Sequence, residues 1–79
     1  MSNRDTFART LSGQYVELFQ SPGYAMAKAR YTPDALAQKM TDGLADGTAN
    51  KDGDGIIRTC KLLKLPHTYK AIRAYLQAV

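Results

Sequence analysis

Thr32-Pro33-Asp34-Ala35-Leu36-Ala37-Gln38-Lys39-Met40-Thr41-Asp42-Gly43-Leu44-Ala45 reads as a helix with a marked start. The Thr32 hydroxyl can accept a backbone N–H at the helix entry, Pro33 suits the first helical position, and Asp34 favours the positive helix end. Leu36, Met40 and Leu44 recur at four-residue steps with Ala37 beside them, so one face is apolar and needs another element to cover it. Asp46 and Gly47 end the pattern.

Reading outward toward the N-terminus, Phe7, Leu11, Tyr15, Leu18 and Phe19 repeat at three- and four-residue steps and predict a helix over residues 5–19, with Asp5 as its N-cap. Ser21-Pro22-Gly23 breaks it, and Tyr24 to Arg30 is a short helical segment. Toward the other end, residues 46–55 are polar turn formers and make a loop rather than a domain linker. Ile56, Cys60 and Leu63 then imply a helix of about ten residues, interrupted at Lys64-Leu65-Pro66-His67. Thr68 caps a last helix whose stripe is Tyr69, Ile72, Leu76 and Val79. Eleven alanines, against Val16, Ile56, Ile57, Ile72 and Val79 as the branched aliphatics, favour helix over sheet. The expected architecture is one all-α domain over residues 1–79, a small bundle of four to five short helices ending in a tight helical pair.

With 79 residues, the chain is near the small end of the domains that fold alone. A large internal active-site cavity is not expected, and a core this small often gains stability from a partner, which leaves room for a homodimer. At 44% hydrophobic and 23% charged, the composition is that of a globular protein. Cys60 is the one cysteine, so the chain has neither an internal disulfide nor a multi-cysteine zinc site, and it fits a reducing compartment. No stretch approaches the roughly 20 apolar residues that span a bilayer, and none resembles a signal peptide. The expected address is cytoplasmic, with no membrane partner.

The charge is divided along the chain. All seven acidic residues lie at or before Asp54, and residues 55–79 carry Arg58, Lys61, Lys64, Lys70 and Arg73 without a carboxylate. Residues 1–54 hold six Lys or Arg against seven Asp or Glu, a balance of −1, so the tail at +5 accounts for the net +4. An ordered basic surface attracts polyanions, nucleic acid above all. The helix, turn and helix of residues 55–79 resembles the helix-turn-helix module of small bacterial and phage DNA-binding regulators, which lays its second helix in the major groove. The resemblance covers about a third of the chain, and Lys64-Leu65-Pro66-His67 stands where the common pattern has glycine in the turn. It implies Thr68, Tyr69, Lys70, Arg73 and Gln77 on the groove-entering helix, with Arg58, Lys61 and Lys64 toward the phosphates; His67, next to Pro66 in the turn, is read as a phosphate contact or a solvated side chain. Arg73 and Gln77 would read base edges and the lysines would neutralise phosphate. The expected function is that of a non-enzymatic duplex-DNA-binding protein, such as a mobile-element regulator. The alternative is a phage- or plasmid-type module that docks on an acidic protein surface and modulates a host enzyme.

Other constellations point to structure before chemistry. Asn50, Asp52, Asp54, Gly55 and Ile57 resemble the front half of an EF-hand calcium loop, yet Lys61 stands at the twelfth position, where a bidentate glutamate belongs. Asp52 and Asp54 are therefore read as turn formers and as negative charge at the next helix start, and no metal or cofactor is expected. Cys60 shares an apolar stripe with Ile56 and Leu63, which fits a small buried hydrophobe rather than a nucleophile paired with His67. Of the five tyrosines, Tyr24 and Tyr31 lie outside the clearest stripes and are the ones expected to be exposed. Gly53 and Gly55 lack the Gly-Lys-Ser/Thr of a P-loop.

Overall fold

Ser2 rather than Asp5 caps the first helix, its hydroxyl accepting the Asp5 N–H at 3.2 Å. The helix therefore opens before its apolar stripe does. Asp5 sits in the first turn, where its charge meets the positive helix end. The structure, a computed structural model, describes residues 2–78 with the exception of the Asp54 side chain. It comprises α1 (Asn3–Leu18), a 3₁₀ turn (Pro22–Tyr24), α2 (Ala25–Arg30), α3 (Pro33–Asp46), α4 (Asp54–Leu62) and α5 (Tyr69–Gln77), with no strand among the described residues. The all-α class expected from composition and periodicity is what the chain adopts.

α1 is the central helix. α3 lies along it, and α4 and α5 each pack on it. α5 also rests on α3, whereas the backbones of α4 and α5 scarcely approach each other. α2 packs on the 3₁₀ turn that precedes it. The α1 stripe of Phe7, Leu11, Tyr15 and Leu18 is buried together with Phe19, as its spacing requires. Ile56 and Cys60 of α4 and Ile72 and Leu76 of α5 complete one core.

Two stripes are rotated from their expected positions. On α3 the buried line is Ala37, Thr41, Leu44 and Ala45, while Leu36 and Met40 are half-buried at its edge. Four-residue steps drift around a helix of 3.6 residues per turn, and small side chains let two helix backbones come close, so alanine and threonine take the centre. On α5 the buried stripe begins at Ile72. Tyr69 is 45% exposed, and Val79 lies outside the described residues. Tyr24, expected outside, is half-buried and packs on Tyr15 and Phe19 at centroid distances of 6.5 and 6.3 Å. Tyr31 is also half-buried, its hydroxyl accepting a hydrogen bond from Lys39 Nζ at 2.7 Å.

The helix ends follow from local chemistry. Thr32 accepts the Ala35 N–H at 3.1 Å, and Pro33 opens α3. Gly47, with φ 86°, stops α3 in the left-handed region, after which the Thr48 and Ala49 N–H groups both donate to the Gly43 carbonyl at 2.8 and 3.1 Å. α4 lies tightly on α1 at Gly55, where a Cβ would come within 3.1 Å of Tyr15 Cε1 and 3.3 Å of Leu18 Cδ1. Beyond α4, Lys64 takes a left-handed φ of 58°. The Leu65 N–H then donates to the Cys60 carbonyl at 2.8 Å and the Lys64 N–H to that of Lys61 at 3.2 Å. That pair of bonds is a Schellman turn, and it puts lysine in the conformation that glycine ordinarily fills. Thr68 caps α5 by accepting the Ala71 N–H at 3.1 Å.

Candidate nucleic-acid interface

The outward side of α5 is an open concavity of about 370 Å³ lined by Tyr69, Lys70, Arg73, Ala74 and Gln77. The spacing of these residues follows from burial of Ile72 and Leu76 on the opposite side, which turns positions 69, 70, 73 and 77 to the surface. α3 and the loop after it form one border. The Tyr69 hydroxyl donates to Asn50 Oδ1 and accepts the Lys51 N–H, both at 3.2 Å, and Lys51 Nζ lies 5.3 Å from the Tyr69 ring centroid. A cation over an aromatic face is attracted by the ring quadrupole, so Lys51 is held against Tyr69 while its ammonium is paired with Asp52.

Arg73 and Gln77 lean toward α3. The Arg73 guanidinium packs on Gly47, near enough that a Cβ there would overlap its Nη2. Gln77 Nε2 donates to the Ala45 carbonyl at 3.2 Å. Both side chains thus meet the C-terminal end of α3, where unpaired carbonyls carry partial negative charge. Lys70 is exposed on the same concavity. Thr68 commits its hydroxyl to the cap, while Lys64 and His67 are exposed on the turn leading into α5.

Arg58 and Lys61 lie elsewhere. They line a second concavity, of about 380 Å³, with Gln14 and Glu17 of α1 and Leu62 of α4. The residues expected to contact nucleic acid are therefore divided: Arg58 and Lys61 lie on α4, and the others on α5 and the turn before it. Among the described residues the ion pairs are Arg4–Asp42 at 2.7 Å and Lys51–Asp52 at 3.0 Å, both exposed. None of the five tail cations takes part in either.

Asn50 and Lys51, which linear reading assigns to the loop, reach the α5 face through Tyr69, and nothing in their local sequence announces it. Asn50 Oδ1 also accepts the Asp52 N–H at 2.9 Å, an Asx turn of the kind expected for the segment. Among the described residues no group of three or more His, Cys, Asp or Glu is placed to hold a metal ion, and the side chain of Asp54, a member of the calcium-loop pattern, lies outside them. Cys60 is 1% exposed, and burial pushes its thiol pKa up, with Lys51 opposing weakly. His67 is exposed on the turn. Leu76 is buried and Tyr75 half-buried against Phe7, so neither forms an exposed apolar patch beside Lys70 and Arg73. No helix among the described residues is long and apolar enough to cross a membrane. Set against protein-family models, curated proteins and solved structures, the chain matches none.

Proposed function

We propose that this chain is a small, non-enzymatic, cytoplasmic protein that binds duplex DNA through α5 and the turn before it, in the manner of helix-turn-helix regulators of mobile elements. One observation carries the reading. The outward face of α5 gathers Tyr69, Lys70, Arg73 and Gln77 on a single open concavity, on a segment whose cations form no ion pair among the described residues. Cations without a carboxylate partner keep more of their positive potential than those of an ordinary solvated helix, whose mixed signs quench it. Lys64, His67 and Lys70 would meet phosphates. Thr68, whose hydroxyl is committed to the cap, would position the helix entry. Arg73 and Gln77, braced on α3, would reach base edges only along one wall of the concavity. Arg58 and Lys61 add to the long-range field from α4.

Titration of random duplex, single-stranded DNA and RNA at several salt concentrations tests this reading. Duplex binding should weaken with salt, with a slope of about −0.9 in log affinity against log salt for each phosphate neutralised. Lys70→Ala should reduce that slope by about one phosphate and weaken all sequences alike, while Arg73→Ala should weaken them unequally. Absence of duplex binding at low salt would reject the proposal in favour of docking on an acidic protein surface.

A further inference from the structure

We propose that the groove between α1 and α4 is a self-association surface that seats a second copy of this chain. Gln14 and Glu17 stand three residues apart on α1, facing Arg58, Lys61 and Leu62 at three- and four-residue spacing on α4, and these five line one concavity of about 380 Å³. Leu62, which also lines it, is 61% exposed although aliphatic. Opposite charges share this groove without satisfying each other. Glu17 is exposed, and no ion pair joins it to Arg58 or Lys61 among the described residues.

A patch that carries both signs beside an exposed leucine can be complementary to itself. In a two-fold dimer, residue i of one copy meets residue j of the other and the reverse, so Glu17 of each protomer would meet Arg58 and Lys61 of its partner while the two Leu62 side chains leave water. An acidic protein or a nucleic acid is a poorer occupant, because Glu17 would face like charge without relief. Two helices from each copy would meet as a four-helix layer. The groove spans about one turn of each helix, which places the association at the weak end of specific interfaces. The surface is distinct from the α5 concavity, so the two copies would keep both α5 faces open. This inference does not depend on DNA binding.

Sedimentation equilibrium of the intact chain from micromolar to millimolar concentration reads the result. The wild type should move from the monomer mass to twice that mass. Glu17→Lys should shift the dissociation constant at least tenfold upward, as should Arg58→Glu combined with Lys61→Glu, since each variant sets like charges against each other at both symmetric contacts. Mixing the two variants should restore a heterodimer of wild-type affinity, because opposite charges then meet again. All three positions are exposed, and circular dichroism melts will show that the variants fold. A wild type that stays monomeric throughout, variants that dimerise as well as wild type, or a mixture that fails to rescue would each overturn the proposal. If the Arg58→Glu, Lys61→Glu variant loses duplex DNA affinity while the wild type remains a monomer, Arg58 and Lys61 are phosphate contacts instead and the proposal fails.

Discussion

Lys64 is the one non-glycine residue with a positive φ among those described. A side chain in the left-handed region costs roughly 1–2 kcal/mol, because its Cβ crowds the following carbonyl. The chain bears this cost at the point where α4 must stop within a turn, and it keeps an ammonium there. Lys64→Gly should therefore stabilise the fold by about 0.5–1 kcal/mol, after allowance for the greater unfolded-state entropy of glycine. The same substitution should weaken duplex binding, since one cation on the turn into α5 is lost. Urea denaturation together with a DNA titration of the single variant measures both, and the opposed signs separate a structural role for this lysine from an electrostatic one. A variant less stable than wild type would show that the left-handed strain is not as described.

At the scale of elements, the end of α3 joins fold and site. Gly47 stops the helix with φ 86°, Gln77 closes onto the Ala45 carbonyl, and Arg73 packs on the glycine itself. Gly47→Ala should cost about 1–2 kcal/mol from the left-handed backbone, and it must also push the Arg73 guanidinium away. Gly13→Ala is the matched control, because Gly13 is exposed within α1 and nothing lies within 4 Å of an added Cβ. There the better helix former should raise stability by up to about 1 kcal/mol. Thermal melts of the two variants should move in opposite directions. Features that depend on neighbours in sequence were legible before the structure: the Thr32-Pro33-Asp34 start of α3, the Thr68 cap, the loop before α4 and the α1 stripe. The start of α1 was not, because the cap at Ser2 lies ahead of the apolar pattern that reveals the helix. The inward lean of Arg73 and Gln77 was hidden as well, since their partners at Gly47 and Ala45 are distant in sequence. Tyr24 and Tyr69 exchanged their expected environments for the same reason: aromatic side chains suit either a core or a surface, and only packing against α1 selects Tyr24 for burial.

The whole molecule answers to pH through its buried phenol. Burial, assisted by the nearby Tyr24, pushes the Tyr15 hydroxyl up to about 12 from its ordinary value of 10.0. Between those values the unfolded chain releases a proton that the folded one retains, so stability falls as pH rises from 10 toward 12 and is unaffected by this group below 10. Tyr15→Phe should flatten that part of the curve, and alkaline denaturation followed by circular dichroism will compare the two slopes. Equal slopes would place the Tyr15 hydroxyl in water. The charge division read from the sequence carries over to three dimensions only in part, because the carboxylate-free tail is split by the fold between α5 and α4. Linear charge counting cannot foresee this, since it does not know that both helices pack on α1 rather than on each other.

The central place of α1 bears on how the protein is made. Phe7 faces Tyr75 across the core at 6.5 Å between ring centroids, and Asn3 Nδ2 donates to the Tyr75 carbonyl at 3.0 Å. A ribosome must therefore deliver the chain through α5 before the nascent protein can shut its interior, and a synthetic peptide of residues 55–79 would have no floor on which to coil. The cationic segment is available to a partner only as a privilege of the finished molecule.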